Sequence, residues 1–128
     1  MPKVSRETAI LDALGPVDDR HMDVDGGYTV NFLTFNVDSD GTELVKGLPG
    51  DQCHCPHWGY VFKGKVTFRT DQGDEVFGPG DAFYLSPGHI PIIEAGTEYL
   101  QFSPTEQLHV VSTHIRQKVQ EMLAHGTA

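Results

Sequence analysis

The sequence predicts an all-β domain, a sandwich or small barrel, with a short helix at its N-terminus and a longer one at its C-terminus. Two observations carry the β assignment. From Trp58 onward, runs of four to six residues rich in β-branched and aromatic side chains are separated by Gly- and Pro-containing turns every eight to twelve residues. Composition agrees: 14 Gly and 8 Pro among 128 residues suit many short strands and turns better than a helical bundle. A third observation sets off the C-terminus, where Leu108, Val111, Ile115, Val119 and Met122 recur at helical spacing. The length predicts one domain spanning 1–128, with a core barrel over about 26–103 and a helix over about 105–124.

In order, Ser5 to Leu14 reads as a short helix capped by Ser5, with Ile10, Leu11 and Leu14 on one face and Gly15-Pro16 ending it. Val17 to Asp25 is acidic and reads as irregular, with His21 on the surface. Tyr28 to Val37 is the first strand, and Asp38-Ser39-Asp40-Gly41 a turn. Thr42 to Lys46 reads as a short strand broken by Gly47-Leu48-Pro49-Gly50. Gly59–Phe62 and Lys65–Thr70 read as a hairpin across Lys63-Gly64, followed by strands Glu75–Phe77, Ala82–Leu85, His89–Glu94 and Glu98–Ser103. Thr105 to Ala124 is the C-terminal helix, closed by His125-Gly126, with His109, His114 and His125 on its polar face.

The formal charge of −9 argues against nucleic acid and anionic membrane as partners. No apolar run approaches the roughly 20 residues of a membrane span, and Met1 to Arg6 lacks the apolar centre of a signal peptide. Two cysteines at i and i+2 exclude a disulfide framework, so the chain reads as cytoplasmic with reduced thiols.

One stretch concentrates chemistry. Cys53, His54, Cys55 and His57 fall within five residues, with Pro56 among them, and His89 follows about thirty residues later in Ser86-Pro87-Gly88-His89-Ile90-Pro91. In an extended chain Cys53, Cys55 and His57 share one face and His54 takes the other. Cys53 and His57 then stand about 13 Å apart unless Pro56 bends the chain. His57 and His89 are the leading ligand pair, with Cys55, Cys53 or His54 as the third. Imidazole with thiolate favours Zn, and three imidazoles would also suit Fe, Mn, Ni or Cu. A thiolate nucleophile at Cys53 or Cys55, beside His54 or His57, is a further reading. Trp58, Tyr60, Phe62, Phe68, Phe83 and Tyr84 read as core or interface, with Val61, Val66 and Phe68 lining a cavity near His57.

Tyr60-Val61-Phe62-Lys63-Gly64 and the stretch from Gly78-Pro79-Gly80-Asp81 to Ser86-Pro87-Gly88 resemble the two sequence motifs of the cupins, over roughly 42–103. The resemblance implies a double-stranded β-helix, a jelly-roll barrel with its site inside. In the first motif the family's Glu position falls on His57, and its two His positions fall on Cys53 and Asp51. In the second the His position falls on Pro91, with His89 two residues earlier on the same strand face. The resemblance implies one divalent metal acting on a small molecule, by dioxygenase, isomerase, epimerase, cyclase or decarboxylase chemistry, or a module that binds a small ligand without turnover. It also implies a homodimer, which covering exposed strand edges would favour.

Overall fold

Alternation at period two runs along the strands and is resolved into buried and exposed residues, as in His57–Lys63, where His57 and Val61 are buried and Trp58, Tyr60 and Phe62 are exposed. The computed structural model describes residues 3–14 and 17–124. Its strands are β1 (Ile10–Leu14), β2 (Val17–Val24), β3 (Tyr28–Phe35), β4 (Ser39–Asp40), β5 (His57–Lys63), β6 (Val66–Thr70), β7 (Gly73–Phe77), β8 (Ala82–Leu85), β9 (Ile90–Ile93) and β10 (Glu98–Pro104). Helices α1 (Thr42–Val45) and α2 (Thr105–Ala124) and a 3-10 turn over Pro49–Asp51 complete the described residues. The strands form two antiparallel sheets, β1-β2-β3-β10-β5-β8 and β4-β9-β6-β7. The two pack face to face as a jelly roll. Phe35, Val61, Phe83, Leu85 and Tyr99 from the larger sheet meet Val66, Phe68 and Ile93 from the smaller. A second cluster at one end joins Val45, Leu48, Cys53 and Cys55 to Leu108 and Val111 of α2.

Four expectations are corrected. The N-terminal helix is absent: Ser5 caps only a turn, through Thr8 N–H and Ala9 N–H to Ser5 O, and Ile10–Leu14 is a strand. A helix of that length is marginal alone, whereas pairing with β2 over five residues satisfies the backbone. The acidic stretch after it is ordered as β2, held between β1 and β3. Thr42–Lys46 is not a strand; Asp40 Oδ1 accepts from Thr42 N–H (3.0 Å) and Thr42 Oγ1 (2.6 Å) and starts the single turn of α1. β5 and β6 do not form a hairpin but lie in different sheets. Gly64, at φ +87°, carries the chain across, where any Cβ would collide with Thr97. The buried Thr97 hydroxyl fixes the crossing, accepting from Lys65 N–H and donating to Lys65 O. α2 runs as expected, with Leu108 and Val111 buried. The expected caps at Gly15-Pro16 and His125-Gly126 lie outside the described residues.

The outer face of the larger sheet is aromatic. Tyr28, Trp58, Tyr60, Phe62, Tyr84 and Phe102 are each at least 41% exposed. Phe102, Trp58 and Tyr84 stand in one cross-strand row, and Trp58 packs on Tyr84 at a ring distance of 5.0 Å. Of the aromatic residues singled out in the sequence, only Phe68 and Phe83 are core.

Candidate metal centre

The loop ahead of β5 is shaped by its backbone. Gly50 (φ +65°) and Asp51 (φ +55°) both take the left-handed conformation, and Asp51 Oδ1 accepts from Gly47 N–H at 2.9 Å. That contact leaves Asp51 exposed and outside the group described next. The loop then runs against the start of β9. Cys53 N–H donates to His89 O (2.8 Å), and His89 N–H (3.1 Å) and Gly88 N–H (2.8 Å) both donate to Cys53 O. Gly88, at φ +99°, permits the turn. After Cys53 the chain bends through Pro56 into β5, where His57 pairs with Leu85.

The bend brings together what an extended chain would separate. Ligand atoms of Cys53, His57 and His89 all lie within 4.8 Å of one another, and these residues are 4%, 6% and 2% exposed. Cys53 Sγ is 3.7 Å from His57 Nε2, and the two imidazoles lie 5.2 Å apart at 62°. Atoms bound to a tetrahedral zinc stand about 3.4–3.6 Å apart, so a small contraction would close this set on an ion.

The histidines are oriented for it. His89 Nδ1 is 2.8 Å from Ser86 O; a carbonyl only accepts, so Nδ1 carries the proton and Nε2 the lone pair. His57 Nδ1 meets the fully buried Ser103 hydroxyl at 2.6 Å, which leaves Nε2 turned to Cys53. The Phe68 ring stands edge-on to His89 at 5.7 Å. Burial, with His89 beside it, pulls His57 down to about 3. Burial also lowers His89, against the Ser86 carbonyl, which raises it. Both rings are therefore neutral near pH 7, as a metal ligand must be.

His54 and Cys55 are not in this group. His54 is exposed, and its Nε2 meets Pro49 O at 2.6 Å. Cys55 is buried toward α2, its Sγ 3.5 Å from Pro56 O. Burial raises Cys53 to about 11 and Cys55 to about 12, helped in Cys55 by Cys53 and opposed by Ser103. A nucleophilic thiol needs the opposite shift. The cavity expected around Val61, Val66 and Phe68 is packed core, with these residues at 0%, 0% and 3% exposure. Asp81 caps its own turn through Gly78 N–H (2.8 Å), Glu94 pairs with Lys65, and Glu98 pairs with Arg6 and Lys63. His114 Nε2 bonds Lys46 O (2.7 Å), tying α2 to the loop after α1. Sequence reasoning missed Ser103; its signal is a polar residue at an inward position of a strand otherwise carrying Tyr99 and Gln101 on that face.

No protein-family profile and no curated protein matches the chain. Solved structures do. An RmlC-like cupin from Shewanella frigidimarina matches with TM-score 0.57 and 15% identity over 79% of this chain and 88% of its own. The polyketide cyclase RemF from Streptomyces resistomycificus matches at 0.55 and 19%, over 82% and 80%. Ectoine synthase from P. lautus matches at 0.60 and 12%, over 85% and 84%. The chain has the cupin fold. Among its described residues no helix is long and apolar enough to cross a membrane.

The buried imidazoles make the metal-free fold acid-sensitive. Between about pH 6.5 and 3 the unfolded chain binds a proton at His57 that the folded chain refuses, so stability falls as pH falls, on the order of 1.4 kcal/mol per pH unit. Urea unfolding of metal-free protein between pH 7 and 4 should show this slope, and His57→Gln should reduce it. Equal slopes in the two proteins would contradict the assignment.

Proposed function

We propose that this protein is a small-molecule metalloenzyme of cupin type, with one divalent transition metal held by Cys53, His57 and His89 inside the barrel. The observation that carries the reading is the convergence of three donor atoms from two separate segments within 4.8 Å, all buried. A structural zinc site is usually closed by four protein ligands, while three leave a position open for substrate. One thiolate with two imidazoles favours Zn, and also suits Cu, Fe or Ni, over Mn. Bound there, the metal would supply Lewis-acid or redox chemistry. The chain's own part is positional. Ser86 O and Ser103 Oγ fix the ring orientations, and Phe68 holds His89 from the core side. Two structural neighbours carry the names of enzymes, a cyclase and a synthase, which supports turnover over ligand binding alone. His54 and Cys55 serve as supports rather than ligands in this reading. The two free thiols suit the reducing cytoplasm.

The partner in this reading is a second copy. The aromatic outer face of the larger sheet is too apolar to be left to water, and two chains of net charge −9 meet most easily where charges are few.

Elemental analysis of purified, tag-free protein should find about one metal per chain, and His57→Ala/His89→Ala should lose it while the strand content survives. A native protein that takes up no Zn, Fe, Mn, Ni or Cu would sink the reading. Light scattering on a sizing column should give a dimer that Tyr84→Glu converts to monomer. A wild-type monomer at about 100 µM would contradict the interface.

A further inference from the structure

Among the described residues, one buried side-chain polar atom has no partner: Oδ1 of Asn31, a residue 3% exposed. The amide cannot be turned to relieve it. Asn31 Nδ2 donates to Asp19 Oδ1 at 2.9 Å; a flip would set the amide oxygen against a carboxylate, acceptor to acceptor. An orphaned acceptor in a native interior keeps its full desolvation cost and calls for a donor.

Asn31 lies on the inner face of the larger sheet. Across β10 its partner is Gln101, which is buried. Two residues further along the same strand and face is Ser103, which holds His57. Asp19 sits on β2 opposite Leu33, and across β10 Leu33 is opposite Tyr99. Asp19, Leu33 and Tyr99 therefore stand in one cross-strand row on the same face as Asn31 and Gln101. Asp19 and Asn31 thus lie on the inner sheet face that also carries Gln101 and Ser103, the residue bonded to His57.

Asp19 has a side-chain hydrogen-bond partner there but no ion-pair partner among the described residues. Burial raises Asp19, with Asn31 and then His21 opposing. Arg116, whose charge also lowers Asp19, is committed to Asp12 at 2.6 Å.

We propose that Asp19 and Asn31 form a subsite for the ammonium end of the small molecule that reaches the Cys53–His57–His89 group; its substrate assignment rests on the function proposed above, its residues do not. An ammonium brings three donors and a unit charge. It can satisfy Asn31 Oδ1 and the second oxygen of Asp19 together, with the Gln101 amide alongside. A carboxylate or phosphate would meet a like charge, and a hydroxyl supplies one donor and no charge. The substrate class is therefore a small primary amine whose other end lies toward the three metal-competent side chains.

The test uses ¹⁵N-labelled full-length protein, with the Asn31 side-chain amide signals assigned by their loss in Asn31→Leu. If that variant fails to fold, Asp19→Asn, which keeps the size and the amide contact, assigns them by their displacement. Titration with n-propylammonium chloride to about 100 mM should move these signals saturably. Sodium propionate and 1-propanol should not. Asp19→Asn should weaken the ammonium response about tenfold or more. In Co(II)-loaded protein the bound propylammonium protons should broaden. Absence of a saturable ammonium shift, as when a trapped water satisfies Oδ1, would overturn the proposal. So would an equal response to propanol or propionate. The two readings separate: protein that takes up no Co(II) yet shows the ammonium shift keeps the subsite and loses the metal. Protein that binds Co(II) with Asn31 unmoved loses the subsite alone.

Discussion

A pair of backbone hydrogen bonds between Cys53 and His89 is the constraint on which the site depends. They pin an irregular loop to the start of β9 and so set a thiol beside an imidazole from the other end of the barrel sequence. His57 needs no such device, because it opens β5 and inherits its position from pairing with β8. The loop's left-handed Gly50 and Asp51 and the left-handed Gly88 are what permit the approach. The rest of the fold serves to hold these two edges at a fixed separation. The core of Phe35, Phe68, Phe83 and Tyr99 fills the barrel below them, and α2 covers the end where Cys53 and Cys55 lie.

The site is polar inside an apolar barrel, and that arrangement carries a cost. Two neutral imidazoles, a thiol, a hydroxyl and two amides are held away from water, each stabilised only as far as its hydrogen bonds reach. His57, His89 and Ser103 are matched to partners. Asn31 is not fully matched. A barrel that served only as a scaffold would place apolar residues at these positions, as it does at Val61 and Val66 a few residues away.

Much of the barrel was legible in the sequence. Strands β6 to β10 and α2 fall where period and turn residues place them, because local alternation and Gly/Pro punctuation report directly on pleated strands. What failed was non-local. Whether Lys63-Gly64 closes a hairpin or crosses between sheets is decided by Thr97, more than thirty residues away. Whether Ser5–Leu14 is helix or strand is decided by the availability of β2. The site divides the same way. Cys53, His57 and His89 stood out by residue type, but the choice of Cys53 over Cys55 and His54 turns on a bend at Pro56 and a bridge that no spacing rule contains. Asn31 was not singled out in the sequence, because its place depends on Asp19, twelve residues away on the neighbouring strand.

X-ray absorption on the zinc-loaded protein would show whether one ion is held by one sulfur and two imidazoles. The spectrum should show one sulfur at about 2.3 Å and nitrogen at about 2.0 Å, with outer scattering from two imidazole rings. Cys53→Ser should remove the sulfur contribution, and Cys55→Ser should leave it in place. A shell of oxygen and nitrogen alone in the wild type, or a sulfur that survives Cys53→Ser and vanishes in Cys55→Ser, would contradict the account.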